Sequence, residues 1–348
     1  MKDTIAGGDY YGDPKLVEIL VRGAPEALNW MIDHGLELRR ILNRTGGHSA
    51  YRTHTCTAGV GRGYTEVLKN IAETRGARIL YGHKIVGIYR DGEGPVTRVK
   101  VETPKGFKNF KATRAVILCS GGFSRDIEMR MAFNPSIIPE YNCTNHPGAT
   151  GEVIRYAQAI GADTLHMAFI QLYPYAHPDT GVLDTPAVYP FRGPGYGMLY
   201  VSKQGKRFVN ELERRDVVSR AEINTRSKPT YSIFNERMIP KMGTKEEVEK
   251  GMTLGRFVMA PTIEELALKL GLPAGNLVET VRAHNEHLKN GKDPEFNQPV
   301  QTITKAVTAF GNAHASWLAV RNDTEDKLET VASHNLSHES SAELSSDI

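Results

Sequence analysis

Five consecutive apolar residues, Ala115-Val116-Ile117-Leu118-Cys119, run straight into Ser120-Gly121-Gly122-Phe123, and this stretch limits the fold more than any other. A strand without polar alternation suits burial on both faces, as at the centre of a parallel sheet. Glycines at the carboxyl end of such a strand let backbone approach a ligand closely, and open α/β sheets bind ligands at that edge. A tight turn explains the glycines equally well. From these residues alone both readings stay open.

The flanking sequence is read as helices followed by a strand-rich unit. Asp13-Pro14 is a helix start, with a capping acid ahead of a proline at the first helical position. That helix is expected to stop near Gly23, and a second to run from Pro25 to Gly35. A further helix is expected over Tyr64 to Thr74, stopped by Gly76. Strands are expected at Arg78–Tyr81, Lys84–Arg90, Thr97–Glu102 and Ala115–Cys119, the first three in a hairpin or meander. Gly148 to Glu152 opens a helix that ends at Gly161. Leu199–Val201 and Arg207–Val209 flank Lys203-Gln204-Gly205-Lys206 and are read as a hairpin. Thr262 and Glu265 have the spacing of a capping box, and Leu277, Val281 and Leu288 line one side of the next helix. Residues 322–348 hold seven acids and one lysine among many serines, which is read as a polar tail.

Several functional classes are excluded by arithmetic. Forty-three basic against forty acidic side chains leave a net charge of +3, too near neutral for nucleic-acid binding through charge. The three cysteines, Cys56, Cys119 and Cys143, form no CxxC pair, so neither a zinc ribbon nor a disulfide framework is expected. No apolar run approaches the ~20 residues of a membrane span. The Met-Lys-Asp start lacks the basic and apolar regions of a secretory signal, and the expected compartment is the cytoplasm. His48, His54 and Cys56 lie close together, but their spacing matches no standard zinc pattern, and a polar loop is expected there without metal. Gly59-Val60-Gly61-Arg62-Gly63 lacks a preceding strand and the spacing of a dinucleotide fingerprint, so it is read as a closely packed helix entry.

The densest chemical signal is arginine. Arg207, Arg214, Arg215 and Arg220 crowd one segment, with Glu211, Glu213 and Asp216 between them and Arg192 shortly before. Guanidinium groups grip carboxylates in pairs of hydrogen bonds, so such a cluster suits a small anionic substrate. A surface network of Arg–Glu pairs accounts for it slightly better on these residues alone.

The segment Gly205-Lys206-Arg207-Phe208-Val209-Asn210-Glu211, followed by Arg214-Arg215-Asp216, resembles the fumarate reductase and succinate dehydrogenase flavoprotein family. The soluble FAD-dependent reductases of the fumarate and urocanate type are most similar. Gly46-Gly47-His48-Ser49, Ser120 to Phe123, Gly148 to Glu152, Ala260-Pro261-Thr262 and Gly291-Lys292-Asp293 match in order, over roughly residues 1 to 300. The resemblance implies an α/β fold: a partial, Rossmann-like FAD-binding domain over 1–167 with an inserted α+β capping (clamp) domain over 168–305. Residues 306–348 are expected to be a divergent polar tail.

The same resemblance implies FAD as cofactor and reduction of the C=C bond of an α,β-unsaturated carboxylate. Hydride comes from flavin N5 and a proton from Arg215, with Arg192 in the proton relay. Val86, Ser120, Gly121, Gly122 and Glu152 fall where the family contacts the flavin nucleotide. Tyr173 stands in Gln171-Leu172-Tyr173-Pro174, where fumarate reductases carry histidine, so a bulkier or less anionic enoate than fumarate is expected. Tyr189 aligns near the family's relay glutamate, where it either carries a proton or, as the safer reading, simply packs; with Tyr173 it is assigned to the substrate side. No counterpart is found for the family's N-terminal βαβ unit or for its His-His-Thr-Met-Gly-Gly segment. A complementing chain or an inactive fragment is therefore the alternative, and a ketosteroid-type dehydrogenase a further one. No CxxCH motif occurs, so electrons are expected from a separate donor.

Overall fold

The structure is a computed structural model in which residues 1–301, 303 and 316–322 are described, apart from 60, 178 and 185. After the short helix α1 (Lys2–Gly7), α2 spans Pro14–Asp33. The Asp13 carboxylate accepts from the Lys15 amide at 2.8 Å, which fixes the start of α2. The expected break before Pro25 does not occur. Proline removes one hydrogen bond from a helix, but Leu28 and Met31 beyond it pack with Leu36 and Cys56, and this burial keeps the second half of α2 in line. Helix α3 (Arg62–Thr74) begins after Gly61 as expected, and Gly63 lies against Cys56, where an added Cβ would meet Sγ at 3.0 Å.

A three-stranded antiparallel sheet follows in the order β1 (Lys84–Arg90), β2 (Val96–Thr103), β3 (Gly106–Lys111). Ile88 and Val101 are its buried hydrophobic residues. The other two expected strands are not formed. Neither Arg78–Tyr81 nor Ala115–Cys119 pairs with a neighbour among the described residues, and Ile117 is 83% exposed. A strand exists only through its ladder partner. The apolar sequence marks a segment suited to a sheet, but no described strand lies beside it. Helices α4 (Ile127–Phe133) and α5 (Glu152–Ala159) complete this half, α5 entering from Gly151 as the sequence suggests.

The remainder packs far more densely. Helix α6 (Val188–Arg192) leads to β4 (Leu199–Val201), α7 (Arg215–Thr225), β5 (Thr230–Asn235) and α8 (Ile239–Met242). Then come α9 (Lys245–Thr253), β6 (Phe257–Ala260), α10 (Ile263–Leu270), α11 (Ala274–Asn290) and β7 (Trp317–Asn322). The strands form an antiparallel sheet ordered β4-β5-β7-β6. Alternation along each strand feeds two cores. Leu199, Val201, Tyr231, Ile233 and Ala319 pack towards α10 and α11, whereas Tyr200, Phe234 and Leu318 join Tyr189, Tyr175 and Met242 on the other side.

Three corrections fall here. Residues 317–322, assigned from sequence to the polar tail, form β7 within this sheet, because Leu318 and Ala319 are apolar and completely buried. The rest of that tail, 306–315 and 323–348, lies outside the described residues. The expected hairpin reduces to one bridge, Val201 to Arg207, because β4 pairs with β5 and Arg207 turns inward to buried acids. Thr262 accepts from the Glu265 amide at 3.2 Å, while the box bonded in both directions is Thr244 with Glu247.

Candidate active site

The arginine cluster divides by burial. Arg207 donates through Nε and Nη2 to the two oxygens of Glu211 at 2.9 and 2.8 Å, and through Nη2 to Asp293 at 3.0 Å. Both acid side chains are fully buried. Burial pushes the Glu211 carboxyl above its usual range against the pull of Arg207. For Asp293, burial acts in the same direction but is outweighed by the hydrogen bond and charge of Arg207, and its pKa is lowered. This network pins the turn that leads into α7. Arg214, by contrast, pairs near the surface with Asp9 and Asp216 and fits the surface-network reading.

Arg215 is the first residue of α7 and is only half-buried. Its Nη1 donates to Gln171 Oε1 at 2.9 Å. The guanidinium lies 4.7 Å from the Phe191 ring centroid and 5.2 Å from that of Tyr173, a cation held between two aromatic faces. No carboxylate lies within ion-pair distance of Arg215 among the described residues. The loop carrying Gly46 to Ser49 closes against this turn. The Gly47 amide donates to Leu212 O at 2.8 Å, and a Cβ on Gly46 would stand 2.2 Å from Glu213 O. His48 follows, with Nδ1 buried and unpaired among the described residues. Burial, then the charge of Arg52, depresses its pKa, and Arg215 contributes to the same field, so the imidazole is neutral at pH 7.

Arg192 closes α6 and is 5% exposed. Its Nη1 donates to Met242 O. Burial, reinforced by the neighbouring Arg39 guanidinium, lowers its pKa. Tyr173 lies within the fields of both Arg215 and Arg192: burial drives its hydroxyl up to about 12 while the two arginines pull the other way. The structure thus gathers Arg215, Arg192 and Tyr173, as the sequence suggests. Tyr189 shares the field of Arg192 but is completely buried, packs on Phe257 at 5.1 Å and donates its hydroxyl to Thr244 O at 2.9 Å. Its hydroxyl also lies 3.3 Å from a Glu247 oxygen, and Glu247 adds to the field at Arg192. Sequence reasoning missed this acid, although the Thr244-to-Glu247 capping-box spacing could have drawn attention to it.

The expected cofactor residues fall at a second place. Ser120 and Glu152 line a cavity of about 380 Å³ with Lys84, Ile85, Gly148, Thr150, Gly151 and Val153. Lys84 Nζ is 3.0 Å from a Glu152 oxygen. Val86 follows on β1, and Gly121 and Gly122 continue from Ser120 outside the lining. Nothing lies within 4 Å of where a Cβ on either glycine would stand, so this backbone is open to a ligand. These residues fit part of a flavin nucleotide site.

The structure thus holds two separate features, a cavity bounded by glycines and an arginine with no acid partner among the described residues. Residues 1–325 match the FAD binding domain family, and the chain belongs to that family. It is similar to the urocanate reductase of Eggerthella lenta, 34% identical over 304 residues, covering 85% of this chain and 50% of that protein. The fumarate reductase (cytochrome) of Shewanella frigidimarina is 32% identical over 301 residues, covering 86% and 51%. In fold the chain is similar to the open conformation of a flavocytochrome c3 fumarate reductase, with a TM-score of 0.63 and 25% identity over 92% of this chain and 54% of that one. The chain spans about half the length of the curated relatives it matches. No helix among the described residues is long and apolar enough to cross a membrane.

Proposed function

We propose that this chain carries the proton-donating half of an FAD-dependent oxidoreductase that reduces the C=C bond of a small α,β-unsaturated carboxylate. The observation that carries the reading is Arg215, held by Gln171, stacked between Tyr173 and Phe191, and free of any acid partner among the described residues. Bound FAD supplies hydride chemistry at its N5. Ser120, Gly121, Gly122, Val86 and Glu152 are the residues that hold it from this side. Arg215 places an N–H on the alkene carbon that must gain a proton, and Gln171 fixes which nitrogen points outward. Tyr173 and Phe191 form flat walls, which favour an enoate with a planar substituent over a compact dicarboxylate. Neutral His48 and the cationic Arg192 add donors and positive charge that favour a carboxylate. Residues 1–167 act as the flavin side and 168–305 as the cap.

A complementing polypeptide is the alternative source of the rest of the flavin site, and the exposed apolar segment at Ile117 offers it a surface. Electrons come from a separate donor.

The test is a visible absorption spectrum of the purified chain after FAD addition and desalting, then enoate reduction with a reduced dye as electron source. The Arg215→Lys variant should keep the flavin band and lose alkene reduction by roughly 100-fold or more. Reduction that survives the substitution removes Arg215 from the chemistry.

A further inference from the structure

Four successive carbonyls at the junction of α8 and α9 each accept a side-chain hydrogen bond. Lys241 O takes Asn43 Nδ2 at 3.0 Å, and Met242 O takes Arg39 Nη1 at 2.9 Å together with Arg192 Nη1. Gly243 O takes Arg39 Nη2 at 3.4 Å, and Thr244 O takes the Tyr189 hydroxyl at 2.9 Å. Carbonyls at the end of a helix have no acceptor role within it, and those of Lys241, Met242 and Gly243 stand at the end of α8, whereas Thr244 O, at the start of α9, also takes the Val248 amide. Side chains from two parts of the sequence satisfy them. Arg39 and Asn43 come from the segment after α2, Arg192 and Tyr189 from α6.

This strap has one consequence for the arginines. Arg192 is buried, lacks a carboxylate within ion-pair distance among the described residues, and has Met242 O as its hydrogen-bond acceptor. Its orientation therefore depends on where that carbonyl points. Arg39 grips the same oxygen and the next one along the chain, so it sets the direction of the peptide plane that Arg192 uses. Asn43 holds the preceding carbonyl and is itself braced, its Nδ2 lying 3.4 Å from the Tyr196 hydroxyl. Two guanidinium groups repel each other, and a shared acceptor offsets that repulsion only while it stays between them.

We infer that Arg39 and Asn43 are positioning residues for Arg192, acting through the strap formed by residues 241–244. Among the described residues, neither hydrogen-bonds to Arg215, Gln171 or Tyr173. Their effect on turnover rests on the enoate-reductase reading, whereas their effect on the strap does not. The residues on the flavin side thereby set the geometry of an arginine in the cap, so the two parts are tied at the level of one peptide group.

The experiment compares the full chain with its Arg39→Met, Arg39→Lys and Asn43→Ala variants by hydrogen–deuterium exchange, followed by steady-state enoate reduction. In Arg39→Met and Asn43→Ala, amides over residues 239–247 should exchange at least tenfold faster while β5 and α11 keep their protection. In Arg39→Met, kcat should fall roughly 10- to 100-fold with KM nearly unchanged, and Arg39→Lys should recover part of the loss by reaching one carbonyl. Unchanged exchange over 239–247 in both truncated variants overturns the inference. So does a kcat that is insensitive to Arg39 in an active wild-type enzyme. A wild-type chain that reduces no enoate counts against the enzyme reading alone, and the exchange data still decide the strap. Should Arg39→Met fail to fold, Asn43→Ala carries the same comparison.

Discussion

Replacing Arg207 with methionine isolates the energetics of the buried network beneath the arginine turn. Glu211 would keep its hydrogen bonds from Gln298 Nε2 at 2.8 Å and the Tyr200 amide at 3.3 Å. Asp293 would keep the amides of Glu295 and Phe296. Both carboxylates would lose their buried cation, and removing one partner of a buried ion pair typically costs about 3–5 kcal/mol. Glu295 is 48% exposed and adds nothing to that figure. Urea unfolding of Arg207→Met, followed by circular dichroism at pH 7, should show a loss in this range. Adding Glu211→Gln to it should recover at least about 1 kcal/mol, because the stranded charge is then gone. The sign of the pH dependence follows from Glu211, whose folded pKa is already raised by burial. A carboxyl with a raised folded pKa costs stability as pH rises through and above its unfolded value, so the deficit of Arg207→Met should shrink on moving from pH 7 towards pH 5. A loss below about 1 kcal/mol, or no recovery in the double variant, would refute the claim that Arg207 neutralises buried charge.

Two further substitutions probe packing and protonation. Gly46→Ala places a methyl 2.2 Å from Glu213 O, so the backbone must shift, and stability should drop by about 1–3 kcal/mol in thermal unfolding; an unchanged melting temperature would contradict that contact. His284 is 2% exposed, with both ring nitrogens unpaired among the described residues, and burial followed by the charge of Arg207 holds its pKa down at about 3. A histidine whose folded pKa lies below its unfolded value of 6.5 gives stability that is present above pH 6.5 and lost as pH falls towards 3. His284→Leu should flatten that decline, by up to ~1.4 kcal/mol per pH unit; an identical acid slope in both proteins would show that His284 charges freely in the fold.

How much of this was legible in the sequence depends on what kind of information each feature needs. Helices α3, α5 and α11 carry their own signals, an apolar face of the right period and a glycine at one end, and each stands close to where those signals put it. Strand β3 was invisible because all six of its residues are exposed and no alternation marks them. The run at Ala115 to Cys119 was legible as apolar but not as unpaired, since pairing is a property of its neighbours. Arg207 and Arg214 look alike in sequence and differ only in which acids the fold brings near them. The strap at residues 241–244 could not be foreseen, because Arg39 and Asn43 lie some 200 residues away in the chain, Arg192 and Tyr189 some 50, and its acceptors are carbonyls, which every residue has.

The contact between Gly46 and Glu213 is backbone against backbone, with a hydrogen bond beside it from Gly47 to Leu212. Main chain cannot rotate out of the way as a side chain can, so the glycine loop and the turn before α7 are locked to one another. Arg215 stands two residues from Glu213, at the end of that turn. The loop that carries His48 therefore fixes the backbone from which the Arg215 side chain springs, and a change in either segment is felt by the other.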